Sequence, residues 1–307
     1  MRGVLTGFAV IATVIAVGYV LGRRGLLGPE ATTVLSRVSF FVATPALLFE
    51  TVARADVRAV ITSALVVTVI STTAVAALFV VVARLCWRRS VAEATIGALA
   101  SSYVNAANIG IPIAVYVLGD SSFVVPVLMF QLVVMAPLAF AVLEITTTRG
   151  SRRLITVVTQ PLTNPVTISC GLGLAVNLTG WLPPEPVLKP IELVAAMAVP
   201  AALIAYGISL RGASAPGSGD TGPDVRLAVF LKTVAQPVVA YVVARFVLGL
   251  PHPIVLAGTV TAALPTAQNV FVYAVRYGRG AVLARDTVLL STVAAVPVLL
   301  GVAVLAG

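Results

Sequence analysis

Ser101-Ser102-Tyr103-Val104-Asn105-Ala106-Ala107-Asn108-Ile109-Gly110-Ile111-Pro112 and Leu264-Pro265-Thr266-Ala267-Gln268-Asn269-Val270-Phe271 are the two stretches whose reading decides the fold. Each lies inside a long apolar segment, and each puts Asn, Gly or Pro where a lipid-bound helix would be apolar throughout. Proline removes an N–H and clashes with the preceding turn. A helix interrupted there frees backbone N–H and C=O groups that lipid cannot satisfy, so the break is tolerated only against a cavity or a ligand. Interrupted helices at corresponding positions of two halves point to the binding site of a secondary transporter. For either stretch alone, a Pro kink with Asn and Gly packing helix against helix is an equally good reading. Two at equivalent positions weigh against it.

Outward from these stretches the chain is almost all membrane-like. Apolar residues make up 59% of the 307 positions and charged residues 10%, against roughly 25% charged in a soluble domain. No soluble core could bury that much apolar surface, so lipid must solvate most side chains. The net charge of +9 would suit nucleic acid only if it formed a patch. Here the basic residues lie in short runs between apolar stretches, which excludes that partner and fits the positive-inside rule. The two cysteines, Cys86 and Cys170, and one histidine allow neither a disulfide framework nor a metal cluster. Both cysteines are expected to pack as small hydrophobes.

A span needs about 20 mostly apolar residues. Ten segments qualify: 3–22, 32–51, 60–86, 92–118, 122–146, 162–181, 187–210, 226–249, 254–276 and 282–305. The longest connection, Arg211 to Asp224, is rich in Gly, Ser and Pro and reads as a flexible loop. Thirteen basic residues, among them Arg23, Arg24, Arg84, Arg88, Arg89 and Arg276, fall on one side of these spans; five, Arg2, Arg54, Arg58, Lys189 and Arg245, fall on the other. The expected protein is multi-pass in the lipid bilayer of the cell membrane, with both termini outside.

The two halves resemble each other in order. Gly18 and Gly173 are 155 residues apart, as are Pro45-Ala46 and Pro200-Ala201. Arg84 and Arg245, Asn108 and Asn269, and Tyr116 and Tyr277 are each separated by 161, and Pro137 and Pro297 by 160. One insertion in the 211–224 loop accounts for the step. Five spans per repeat is an odd number, so the second repeat must lie upside down relative to the first. The expected fold is all-α: ten transmembrane helices as two inverted five-helix repeats, residues 1–154 and 155–307, with spans 4 and 9 broken, forming one membrane domain.

The candidate substrate-binding residues are Asn105, Asn108, Gly110 and Pro112 in span 4, and Pro265, Thr266, Gln268 and Asn269 in span 9. Half-helix N-termini carry partial positive charge and suit an anion such as a carboxylate. Lys232, Gln236 and Gln131 are candidates for charge balance or coupling. Snorkelling of Lys232 to the membrane face is an equally good account. Tyr206 is expected to line the cavity or bridge helices, Arg37 and Glu144 to pair, and His252 to lie in a loop between two prolines without a role. The acidic residues lie at or near helix ends, so proton coupling has no evident midplane carrier. H+ coupling, Na+ coupling and uniport all stay open.

With these residues the chain resembles the auxin efflux carrier family, whose plant members are the PIN-formed proteins and whose bacterial members include presumed malonate and malate permeases. The similarity spans nearly the whole chain. It rests on Asn108-Ile109-Gly110-Ile111-Pro112, Asn164-Pro165, Leu182-Pro183, Pro200-Ala201-Ala202-Leu203 through Gly207-Ile208-Ser209-Leu210, Lys232 with Pro237, Leu264-Pro265, Tyr277-Gly278 and Ser291-Thr292. It implies scaffold and transport panels, elevator-like exchange of access, and a substrate carboxylate beside the crossing of spans 4 and 9, marked here by Asn105 and Pro265. It also allows a homodimer. One departure matters: plant members carry proline just before the Asn of span 4, and this chain has Val104. Span 4 is therefore expected to break less sharply, with its break shifted toward Gly110 and Pro112.

The function expected is transport of a small organic anion by alternating access. A sensor or scaffold of the same fold, binding a lipid or small ligand without moving it, is the alternative; a channel fits paired breaks around one site less well. An enzyme is excluded by chemistry. There is no catalytic residue set, no H-E-x-x-H, D-D-x-x-D or G-x-S-x-G, and no metal-ligand or cofactor motif.

Overall fold

The computed structural model describes residues 2–54, 63–110, 113–114, 118, 121–147, 165–211 and 215–306. Pro112, Arg58, Tyr116, Asn164 and the basic run at 149–153 lie outside the described residues, as does the side chain of Asn108. Among the described residues the structure is all helical, with no β-strand. In chain order the helices are α1 (Arg2–Arg24), α2 (Ala31–Ala53), α3 (Ser63–Leu85), α4 (Val91–Ser102), α5 (Val125–Thr147) and α6 (Pro165–Thr179). They continue as α7 (Glu185–Ser209), α8 (Gly222–Val247), α9 (His252–Ala262), α10 (Asn269–Tyr277) and α11 (Ala281–Ala306). Six of these, α2, α3, α5, α7, α8 and α11, are long and apolar enough to cross a membrane, and α6 and α9 are shorter apolar helices. The chain is thus a multi-pass membrane protein.

Local chemistry explains the helix ends. Ser90 caps α4: its hydroxyl accepts from the Glu93 N–H at 3.2 Å, and Glu93 accepts in return from the Ser90 N–H at 3.0 Å. That reciprocal box satisfies two orphan amides. Gly278 ends α10 at φ 62°, a left-handed turn that suits glycine. Interior prolines leave a different mark. The five or six residues before Pro45, Pro137 and Pro237 open into wider π-helical turns, Ser39–Ala43, Phe130–Met135 and Leu231–Ala235. Such a turn relieves the clash between the proline ring and the carbonyl four residues back.

The helices pack as two groups. α1 lies along α7, α6 lies along α2, and α7 touches α2. The other group contains α3, α4, α5, α8, α9, α10 and α11, with α10 reaching across to α2 and α7. Glycine makes the close backbone approaches of α1 to α7 and of α6 to α2. A Cβ on Gly18 would come within 2.5 Å of the Ile204 carbonyl oxygen, and one on Gly173 within 2.8 Å of the Phe49 carbonyl oxygen. Gly18 and Gly173 are 155 positions apart, and so are Phe49 and Ile204. The same backbone contact therefore recurs with the partners exchanged. Gly207 answers from α7, packed against the backbone of Ile15 and Tyr19. Small residues of this kind let membrane helices approach closely where no hydrophobic effect drives them together.

Three sequence expectations change here. His252 is the first residue of α9 rather than part of a loop. Cys86 is exposed at the end of α3, whereas Cys170 is buried and its thiol donates to the Leu132 carbonyl at 3.2 Å. The 215–224 part of the loop read as flexible is tied down. Arg89 pairs with buried Asp224 at 2.7 Å, and that carboxylate raises the pKa of the guanidinium. The Gly217 N–H donates to Asp286 at 3.0 Å, and Asp286 pairs with Arg285 at 2.7 Å.

Gly207→Val is expected to drive α1 from α7 and cost roughly 3 kcal/mol, the upper part of the overpacking range. Gly171→Ala, at a position with nothing within 4 Å, should leave thermal unfolding in detergent unchanged or slightly raised.

Candidate functional site

The two stretches quoted first meet at the centre of the second helix group. α4 stops at Ser102 and Tyr103 turns extended (φ −82°, ψ 106°). α9 stops at Ala262. The chain segments that follow cross antiparallel, with Val104 bridged to Thr266. The Asn105 N–H donates to the Pro265 carbonyl at 2.8 Å and the Ala267 N–H to the Tyr103 carbonyl at 3.1 Å. Asn105 and Ala267 are 162 positions apart, as are Tyr103 and Pro265. The two bonds thus exchange under one shift.

Flanking helices satisfy what the bridge leaves over. Gln131, inside the π turn of α5, accepts from the Val104 N–H at 2.6 Å and donates to the Val104 carbonyl at 3.1 Å. Ser291 of α11 accepts from the Thr266 N–H at 3.1 Å, and the Thr266 hydroxyl donates to the Ala100 carbonyl at 2.6 Å. The expected shift of the span 4 break toward Gly110 and Pro112 is therefore corrected: the helix ends at Ser102, two residues before Val104. Proline is not needed there, because the Gln131 amide takes both hydrogen-bonding groups of the Val104 peptide out of competition for a helix.

On one side of the crossing lies a cavity of about 200 Å³. Its polar lining is Asn105, Gln131, Gln268, Asn269 and Thr51; Leu47, Leu128, Leu132 and Val199 supply most of the apolar wall. The Asn105 side-chain amide donates to Gln268 Oε1 at 3.0 Å. Gln268 is 2% exposed, and its Nε2 has no partner among the described residues. Gln268 immediately precedes α10 and so lies at the positive end of its helix dipole. The Val270 and Phe271 N–H groups already donate to the Ala267 and Gln268 carbonyls at 3.1 and 3.0 Å, so the polar side chains are what the cavity offers a ligand. Among the described residues, neither Lys nor Arg lines it.

The opposite flank of α10 is closed by rings. Phe40 of α2 meets Phe140 at 5.3 Å, Tyr273 at 6.2 Å and Tyr277 at 6.1 Å between centroids. The Arg276 guanidinium lies 4.7 Å from the Phe41 ring centre. Tyr277 donates to Glu144 at 3.4 Å.

The expected site residues thus divide. Asn105, Gln131, Gln268 and Asn269 come together at the cavity. Thr266 and Pro265 build the bridge behind it. Gly110 packs against Leu264 and its N–H donates to the Asn105 carbonyl at 3.0 Å. Lys232 and Gln236 lie away from the cavity, under the ends of α4 and α9. Lys232 does not snorkel: it is fully buried, donating to Gln236 Oε1 at 2.5 Å and to the Ala262 carbonyl at 2.8 Å. Tyr206 bridges α7 to α11 through the Arg285 carbonyl at 2.9 Å. Sequence reasoning passed over Ser291, Thr51 and Thr72 as parts of the site. Ser291 was findable, since it lies 160 residues after Gln131, as Pro297 does after Pro137. Among the described residues, no cluster of His, Cys, Asp or Glu could hold a metal.

A family model described as membrane transport protein matches residues 4–156 and again 151–302. A Rhizobium meliloti (strain 1021) protein bearing the name "Putative malonate transporter" is 30% identical over 294 residues, covering 94% of this chain and 91% of its own length.

Gln131→Leu is expected to strand the Val104 N–H, while the Val104 carbonyl still accepts from the Ala106 N–H at 2.8 Å, at about 1–3 kcal/mol for the one buried group left unpaired. Thermal unfolding in detergent checks this. An unchanged midpoint would mean that the bridge holds span 4 open without the clamp.

Proposed function

The chain belongs to the membrane transport protein family, the auxin efflux carrier-like group that its motifs resemble, and from that premise we propose that it carries a small organic anion, a carboxylate, by alternating access. It is a transporter and not an enzyme. The observation that carries the anion reading is Gln268, which lines the cavity at the head of α10 and whose buried Nε2 has no partner among the described residues. A carboxylate there would satisfy that donor and meet the positive helix end. Asn105 holds Gln268 in place, and Asn269 adds a polar group at the first turn of α10. Asn108, Gly110 and Pro112 would complete the first half of the crossing.

Two inverted five-helix repeats, divided near residue 154, are our reading of the architecture. In this reading α4 with the segment from Ala106 forms span 4, and α9 with α10 forms span 9. The recurrence of the Gly18–Ile204 contact as Gly173–Phe49 supports it. So does the exchange of the two crossing bonds under a shift of 162. α1, α2, α6 and α7 would form the scaffold, and the remaining helices the moving panel. The cavity walls from α2 and α5 come from the half of α2 nearest Arg54 and from the first turns of α5, with Val199 near the middle of α7. With the positive-inside orientation and both termini outside, that is the outer face of the cell membrane, and the Phe40–Phe140–Tyr273–Tyr277 cluster seals the inner side. Access would exchange when this cluster parts and the moving panel slides along the scaffold.

The name of the Rhizobium relative makes malonate the first compound to try. In detergent, malonate, malate, short fatty acids and indole-3-acetate should be compared with neutral and cationic controls by thermal shift. A ligand at about 100 times its dissociation constant adds roughly 2.7 kcal/mol to the native state. Stabilisation by a carboxylate, followed by its uptake into proteoliposomes, is expected. A carboxylate that binds and is not moved would favour a sensor instead. Gln268→Leu should fold and lose about tenfold or more in affinity, the worth of one hydrogen bond to a charged group. Asn105→Ala should weaken binding in the same direction. Unchanged affinity in both variants would sink the site.

A further inference from the structure

Lys232 is the feature that the anion site does not use. Its side chain has no exposure, and among the described residues it forms no ion pair. A buried charge without compensation costs several kcal/mol. What surrounds it is a set of helix ends. Its ammonium donates to the carbonyl of Ala262, the last residue of α9, at 2.8 Å. It also donates at 2.5 Å to Gln236. Gln236 Nε2 in turn donates to the carbonyl of Ser102, the last residue of α4, at 3.2 Å, and to the Thr72 hydroxyl at 3.2 Å. Each helix C-terminus carries roughly half a negative charge. Two of them converging here supply about one, which matches one ammonium.

Beside Gln236 and Ala262 lies a space of about 10 Å³ lined by the hydroxyl residues Thr68, Ser71, Thr72 and Thr261, about enough for one water. Carbonyl and hydroxyl oxygens without a carboxylate are the ligands of a hard monovalent cation at unwound membrane helices. We propose that Lys232 is a tethered cation held permanently where the carbonyl ends of α4 and α9 converge. It does there what a dissociable sodium ion would otherwise do, so the protein neither binds nor needs sodium. Removing the ammonium uncovers a site for a small monovalent cation. The transport consequence rests on the carrier reading above; the cation site does not.

Thermal unfolding of the purified full chain in sodium, lithium, methylammonium or choline chloride at equal ionic strength tests the site directly. The wild type should melt alike in all four. Lys232→Ser should melt lower in choline and be raised by sodium, lithium or methylammonium. A wild type raised by sodium over choline overturns the proposal, and so does a folded Lys232→Ser indifferent to every cation. If Lys232→Ser does not fold, Lys232→Arg and Lys232→Met decide. Arg, which keeps the charge, should fold and melt above Met, and equal stability of the two overturns the proposal. In proteoliposomes, wild-type carboxylate uptake should be equal in sodium and choline. Lys232→Ser uptake should fall about tenfold or more in choline, a coupling of ordinary size, and recover in sodium. Wild-type uptake that requires sodium overturns the proposal. No carboxylate uptake by the wild type in any buffer counts against the carrier reading, and the melting series still decides on Lys232.

Discussion

The peptide groups of two interrupted helices, which lipid cannot hydrogen-bond, are the constraint on which the rest of the structure depends. Each break leaves N–H groups at one end and carbonyls at the other, and each unmet group in lipid costs several kcal/mol. The structure answers by crossing the two breaks so that they bond to each other, Asn105 to Pro265 and Ala267 to Tyr103. What the crossing cannot satisfy is met by polar side chains of its neighbours: Gln131 from α5, Ser291 from α11, Gln236 and Lys232 from α8. Gln131, Ser291, Thr266, Gln236 and Lys232 thus each have a backbone atom to serve.

Satisfying the breaks also sorts charge. Helix dipoles turn their negative ends toward Lys232 and the positive end of α10 toward the cavity. The proposed anion site and the buried Lys232 then share one crossing, without an acidic residue at either among the described residues. The prolines contribute indirectly. Pro137 and Pro237 provoke the π turns that contain Gln131 and Lys232, and a π turn rotates its side chains relative to a regular helix. A feature usually read as helix breaking here aims the residues that mend other breaks.

How much of this was legible follows from where each signal lies. The breaks were readable because Asn105, Pro265, Gln268 and Asn269 are out of place in apolar runs. The glycines of α1 and α6 were visible through their constant offset, although the offset alone did not say what they touched. The position of the break in span 4 was misjudged because Val104 carries no signal. The cause is Gln131, 27 residues on and in another helix. The burial of Lys232 was equally hidden: a lysine two turns into a span can snorkel or turn inward, and only the arrival of the Ala262 carbonyl decides. His252 was misread because flanking prolines announce a loop as readily as a helix start, and Pro251 precedes the first turn of α9.

The unequal fate of the two thiols has a practical side. Cys86 stands exposed at the end of α3, and Cys170 is shut between α6 and α5 against the Leu132 carbonyl. A thiol reagent therefore meets one sulfur at once, and the other only when α6 and α5 separate. The native chain carries its own stopwatch: the lag between first and second alkylation times the opening of that seam, with no engineered label and no functional assay.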